Sequence, residues 1–259
     1  MGRKIVVTSG KGGVGKTTVV ANLGIALALM GVSVVMVDGD IGLNNLDVAL
    51  SCESRIIYDI GDVVLHKCRL KQALVRDSNL ENLFLLPSAK FVSQDSISVQ
   101  AFSSIVNEFA REFEYVLIDC PAGIEQGFHR AVMPAQEALV VTTPHISAVR
   151  DADKVLGLLT TYSISNVGII VNRVRGDLVV KDSAMGADEI AKLLRCPLKG
   201  AIPEDDKLGF AGTFAETGSE ICYTAYKMLA ECIMGKSDRV YDCTKPYQSI
   251  FYRFRHKRS

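Results

Sequence analysis

No apolar run in these 259 residues approaches the roughly 20 consecutive residues that a membrane-spanning helix needs, and there is no low-complexity tract or internal repeat. Disulfide and zinc patterns are missing too. The seven cysteines, at positions 52, 68, 120, 196, 222, 232 and 243, are odd in number, scattered and never spaced Cys-x-x-Cys. They are expected to be small buried or incidental thiols in a reducing cytosol. The four histidines, at 66, 129, 145 and 256, form no cluster for a metal or for nucleophilic catalysis. Net charge is absent as well: 29 basic residues balance 29 acidic ones, so the total says nothing about partners. No signal peptide is expected, because Met1-Gly2-Arg3-Lys4 leads straight into a first strand. Hydrophobic residues at 48% and charged residues at 22% suit a soluble globular chain with a full core, in one large α/β domain or two small ones.

The stretch with the most information is Gly10-Lys11-Gly12-Gly13-Val14-Gly15-Lys16-Thr17-Thr18, which fits the P-loop pattern of Gly, four residues, then Gly-Lys-Thr. The β-branched run Ile5 to Thr8 precedes it, and apolar residues at helical spacing follow from Thr17 to Met30. Glycines free such a loop from side chains, so that successive backbone N–H groups and the next helix's N-terminus can surround a phosphate chain. Lys16 is then placed to reach the β- and γ-phosphates, and the Thr17 hydroxyl to ligate Mg²⁺.

Acids follow at the ends of later strands. Val32 to Val37 delivers Asp38-Gly39-Asp40, at the carboxyl end of a strand, where ligands bind in open parallel sheets. Asp40 is positioned either to hold an attacking water or reach magnesium through water, or to cap the next turn. Tyr115 to Asp119 is a hydrophobic strand ending in an acid, the form of a Walker B segment, with Asp119 in the magnesium shell opposite Thr17. Residues 56–76 read as short helices, Leu83 to Leu86 and Ala138 to Thr142 as strands, and Val99 to Arg111 and Ser147 to Thr161 as helices. Val167 to Val171 is a further strand, and a helix over 219–234 finishes the body. About seven buried strands alternating with helices predict an α/β, doubly wound, mostly parallel sheet with helices on both faces.

The charge that cancels overall is unevenly placed. Arg253, Arg255, Lys257 and Arg258 crowd residues 247–259 with no acid, leaving 25 basic against 29 acidic residues elsewhere. Drawn as a helix at about 100° per residue, Tyr247, Ile250, Phe251 and Phe254 share one face. A short basic amphipathic segment with aromatics has the composition of an interfacial membrane helix. A nucleic-acid-binding tail and a final helix docked on the body are the alternatives. Gly235 to Pro246 is polar and broken by Gly and Pro, so 236–246 reads as a linker between a 1–235 domain and a 247–259 tail, and speaks against docking.

Lys-Gly-Gly-x-Gly-Lys-Thr-Thr resembles the deviant Walker A loop of the MinD/ParA family of ATPases, and the resemblance runs over essentially the whole chain. Asp-Gly-Asp-Ile-Gly-Leu-x-Asn-Leu-Asp from Asp38 is similar to the MinD-type switch I, and Asp119-Cys120-Pro121-Ala122-Gly123-Ile124-Glu125 to the switch II. The resemblance implies an ATPase with ATP and Mg²⁺ as cofactors and the P-loop NTPase fold. It further implies that Lys11 crosses a homodimer to the partner's nucleotide, like an arginine finger. By the same resemblance Asp40 serves hydrolysis, and Gly123 offers its N–H to the γ-phosphate. Asn172 reads the adenine edge, Arg173 stacks on the ring, and Pro203, Glu204 and Asp205 belong to a base-side loop. Asn44 stands where many members carry arginine. The charged face from Arg150 to Lys154 would be a partner-docking surface.

At the level of the cell, the resemblance implies cytoplasmic protein held peripherally on the inner face of the membrane through the tail. There it would recruit a MinC-like division inhibitor and respond to a MinE-like activator. A ParA-like DNA segregation ATPase is the alternative, and would need basic patches on the body. An iron–sulfur carrier is disfavoured by the lack of paired cysteines.

Overall fold

The protein is described here from a computed structural model, which covers residues 1–42, 45–89 and 96–248. Its strands are β1 (Arg3–Thr8), β2 (Val34–Asp38), β3 (Val75–Arg76), β4 (Leu83–Leu86), β5 (Tyr115–Asp119), β6 (Glu137–Thr142), β7 (Asn166–Val174) and β8 (Leu198–Pro203). They form one sheet in the order β3-β4-β2-β5-β1-β6-β7-β8. Every pairing is parallel except that of β3 with β4. All residues of β2 and β5 are buried, as the continuous Val/Ile/Leu runs require of strands covered on both faces.

The helices are α1 (Lys16–Leu29), α2 (Leu46–Ala49), α3 (Ile60–Val64), α4 (Val99–Glu112), α5 (Gln126–Val132), α6 (Ile146–Leu159), α7 (Gly176–Val179), α8 (Ala187–Leu194), α9 (Asp206–Ala211), α10 (Phe214–Thr217) and α11 (Glu220–Ile233). Alternation along each strand sorts the core into two layers. Ile5, Val7, Met36, Leu117 and Ile170 face α1 and α11. Val6, Val37, Ile118, Val140 and Ile169 face Phe102 and Phe109 of α4, Phe128 of α5 and Val155 of α6. The sheet is therefore doubly wound, as expected. Helix α1 is buried from Val19 through Ala28, because it lies on the sheet with α11, itself seated on β8, packed along its flank. No described helix is long and apolar enough to cross a membrane.

Two expectations change. The sheet has eight strands against the about seven expected: β8 follows the 167–171 strand without having been given bounds, and β3 is a two-residue antiparallel edge inside the 56–76 region read as short helices, too short to show any period. The 236–246 segment is seated on the body instead of spacing a tail from it. Cys243 is buried there, Val240 and Tyr241 pack on the core, and the Cys243 carbonyl lies hard against Gly176 of α7. Tyr247, expected at the head of the tail's apolar face, sits in the short 3₁₀ turn Lys245–Tyr247, with its ring beside Gly176. Ile250, Phe251, Arg253, Phe254, Arg255, Lys257 and Arg258, and with them the expected tail helix, lie outside the described residues, as does Asn44.

Candidate functional site

Strands β1, β2 and β5 lie side by side at the centre of the sheet and release their chains at the same edge, the carboxyl end where open α/β sheets bind ligands. From β1 the loop folds back on itself, Ser9 Oγ donating to the Lys11 carbonyl at 2.9 Å. Two of its glycines are needed for different reasons. Gly10 lies directly against the Asp151 backbone of α6, where any side chain would collide. Gly15, at φ 91°, is the left-handed cap from which α1 starts, and a Cβ there would strike the Asn172 amide. Asn172, buried near the end of β7, braces the loop by donating Nδ2 to the Val14 carbonyl at 2.8 Å.

The two lysines of the loop have opposite environments. Lys16 opens α1 and is buried, with its charge felt by both Asp40 and Asp119. Lys11 is exposed and donates Nζ to Ser147 Oγ of α6 at 3.2 Å. Thr17 Oγ1 donates to Asp119 Oδ2 at 2.7 Å. Thr18 is half-buried, and its carbonyl accepts from Asn22 Nδ2 of the same helix at 2.8 Å.

Asp38 pairs in register with Asp119 across the β2–β5 ladder. Its buried carboxylate accepts the N–H groups of Asp40 at 3.0 Å and Leu46 at 3.3 Å. Burial and the charge of Asp119 push the Asp38 carboxyl well above the usual range. Asp119 is also raised by burial, against the pull of Lys16 and the Thr17 hydroxyl. Partial burial raises half-buried Asp40, opposed by Lys16 and by Arg130. Three acids thus gather with two buried cations, Lys16 and Arg130. Asp119 Oδ1 is buried without a hydrogen-bond partner among the described residues.

That oxygen, the adjacent hydroxyl and the excess of carboxylate fit a hard divalent cation of the Mg²⁺ type. Such an ion takes one or two protein oxygens and completes its shell with phosphate and water. Among the described residues no three side chains of the ligand types converge into an all-protein cage. The site therefore suits a metal that arrives with a phosphorylated ligand.

From Lys11, Gly12, Gly13 and Val14 a cleft of about 800 Å³ runs to Arg173 and Glu204. Arg173 adopts a left-handed backbone, φ 56°, at an irregularity in the β7–β8 ladder, and its side chain is exposed at the cleft. A non-glycine residue held there stores about 1–2 kcal/mol of strain, of the kind that gathers at binding sites. Pro203 ends β8 opposite Val174. Asp205 does not line the cleft: its carboxylate caps α9 by accepting from Lys207 N at 2.9 Å, and it accepts from Ser219 Oγ at 2.5 Å. Its neighbours Glu204 and Asp206 face the cleft in its place. Gly123, at φ 91°, lies in the loop after β5, whose Ala122 comes close to Gly12.

Four residues here have tasks that the sequence does not show. Asp38 was signalled as the first acid of Asp-Gly-Asp, though only its burial reveals its structural task. Arg130 of α5 is buried, with its guanidinium directed at the carbonyls of Gly39 and Ile97, each 3.5 Å away. Nothing local in the sequence announces it, nor the placing of Ser147 and Arg175 on the cleft.

The CobQ/CobB/MinD/ParA nucleotide binding domain matches residues 5–217. The septum site-determining protein MinD of Synechocystis is 51% identical over 208 residues, 80% of this chain and 78% of that protein. The MinD of a MinC:MinD cell division complex from Aquifex aeolicus superposes with a TM-score of 0.83 at 40% identity, covering 91% of this chain and 96% of that one. The Pyrococcus horikoshii septum site-determining protein MinD complexed with Mg-ADP gives 0.80 at 30% identity, covering 90% and 96%. The chain belongs to the CobQ/CobB/MinD/ParA nucleotide-binding family, and within it is similar to the septum site-determining MinD proteins.

Proposed function

We propose that the protein is an Mg·ATP-dependent ATPase that dimerises around ATP, attaches peripherally to anionic membrane, and there positions the division septum by recruiting a MinC-like inhibitor. This reading rests on the convergence of Lys16, Thr17, Asp40 and Asp119 at one sheet edge, with Lys11 of the same loop left on the open side of the cleft. The Pyrococcus relative's Mg-ADP and the Aquifex relative's MinC support the nucleotide and the partner.

In this reading the loop N–H groups and Lys16 bind the β- and γ-phosphates, and Gly123 contributes a further N–H. Thr17 and Asp119 hold Mg²⁺, which when bound neutralises charge on the phosphate oxygens. Asp40 orients the attacking water. Asn172 keeps the loop in shape and presents its remaining amide oxygen toward the base, which lies along Arg173 and Glu204. Lys11 exchanges its Ser147 contact for the γ-phosphate of a partner subunit, adding positive charge where the transition state builds negative charge. Hydrolysis loosens the dimer and releases the membrane, and a MinE-like activator accelerates that step.

Light scattering of the protein with ATP and Mg²⁺ tests the assignment. Wild type should double its mass with ATP and stay monomeric with ADP. Lys11→Ala should remain a monomer with ATP yet keep its fold. Asp40→Ala should dimerise and release no phosphate. Lys16→Ala should do neither. A Lys11→Ala variant that dimerises like wild type removes the crossing lysine.

A further inference from the structure

A second cavity, of about 950 Å³, lies next to the nucleotide cleft. One wall is α7, the start of α8 and the turn between them, and the other is the chain from Asp238 to Thr244. Its floor is apolar, with Val179, Met185, Val240 and Tyr241 all partly buried. Its lining carries five carboxylates, Asp182, Asp188, Glu189, Asp238 and Asp242, and no lysine, arginine or histidine. All five are exposed, and none forms an ion pair among the described residues. Such a groove suits an occupant that is basic and apolar at once.

We propose that the occupant is this chain's own residues 249–259, docked in the groove of the same molecule whenever no membrane holds them. Three observations select it. The described chain ends at Gln248, whose Nε2 donates to Thr244 Oγ1 at 2.7 Å, so residue 249 starts at the groove's lip. The segment brings Ile250, Phe251 and Phe254 for the floor and Arg253, Arg255, Lys257 and Arg258 for the carboxylates, without one acid of its own. At about 3.3–3.6 Å per extended residue its eleven residues reach up to roughly 40 Å, ample for a groove that begins beside their point of departure. The seating of 236–248 on the body removes the spacer that would have carried the segment away. Ser183 and Ala184 line both the groove and the nucleotide cleft, so the docked segment shares a wall with the proposed ATP site.

The proposal rests on the membrane reading only for what competes with the groove. The same residues cannot lie in a bilayer and in the groove, and docking therefore sets a threshold that the vesicle surface must overcome. Exposed ion pairs of this kind are individually weak and screened by ions, so the docked state is readily reversible and weakened by salt.

The test uses the full chain with Phe254 replaced by the photo-crosslinker p-benzoylphenylalanine. Irradiation without lipid should yield an intramolecular crosslink to 179–189 or 238–244. Asp188→Lys with Asp238→Lys should reduce that product at least threefold. A crosslink elsewhere on the body, a crosslink to a second copy, or no crosslink overturns the proposal. Vesicles of phosphatidylcholine with phosphatidylglycerol should abolish the product, whereas phosphatidylcholine alone should not. Vesicle pelleting of the same sample separates the two readings. Binding to anionic vesicles without a groove crosslink leaves the membrane reading standing and ends this one. A groove crosslink with no vesicle binding does the reverse.

Discussion

Asn22 is the residue whose role is least apparent from its neighbours in the chain. It sits fully buried in the middle of apolar α1, yet donates Nδ2 to the Gly212 carbonyl at 2.9 Å and accepts from Phe214 N–H at 2.8 Å. Asn22→Ala leaves two buried backbone groups without partners, at about 1–3 kcal/mol each, so urea denaturation should show a loss of at least 2 kcal/mol. Asp205 offers a pH readout. Burial raises its carboxyl, but bonds from Ser219, Lys207, Leu208 and Cys222 outweigh that and hold it below the ordinary value of 3.8. A depressed acid stabilises the fold above its unfolded pKa, and loses that effect as pH falls through the folded value. Asp205→Ala should therefore destabilise the fold at neutral pH by about 1 kcal/mol, the contribution of a helix cap, and so lower Tm. The gap to wild type should close as pH drops below 3.8. An unchanged gap at low pH would show that capping, not charge, accounts for the effect. Lys16, Thr17 and Asp119 were legible in the sequence because a P-loop and an acid-ended strand are local patterns. Asn22 and Arg130 were not, since their partners are assembled from distant parts of the chain, Gly212 lying 190 positions from Asn22.

Elements with unbroken apolar runs between polar ends declared themselves. Leu83–Leu86 and Tyr115–Asp119 have the bounds that the sequence suggests, and α4 starts at Val99 behind its Ser98 cap. The segment 236–246 misled because its polar composition, between Gly235 and Pro246, is that of a linker. Only three side chains, Val240, Tyr241 and Cys243, seat it, and so sparse a pattern has no period to detect. At the P-loop the element and the site are the same object. Gly15→Ala would place a side chain at φ 91°, costing about 1–2 kcal/mol, and would drive it into Asn172 as well. Both the denaturation midpoint and ATP affinity, read by calorimetry, should fall. Normal ATP affinity in that variant would separate the Asn172 brace from nucleotide binding.

On the scale of the whole molecule, the proposed membrane reading gives one tail little net binding. Partial immersion of a few aromatics and about 1 kcal/mol per basic residue would be opposed by about 1–2 kcal/mol per residue of backbone ordering. The proposed dimer would present two tails, the second binding at high effective concentration, with roughly 10²–10⁴-fold of avidity. Phe254→Glu should abolish pelleting with anionic vesicles and leave ATP-dependent dimerisation intact. Equal vesicle affinity of ADP monomer and ATP dimer would end the avidity account. The packing of α1 against α11 has a consequence of another kind, for the order in which the protein is made. The P-loop helix is among the first elements to leave the ribosome, and the helix that packs along its flank is the last of the body. About 200 residues separate them, which at roughly 5–20 residues per second is about 10–40 s of synthesis. Throughout that interval the nascent chain displays an apolar helix with one flank uncovered, a natural client for a chaperone.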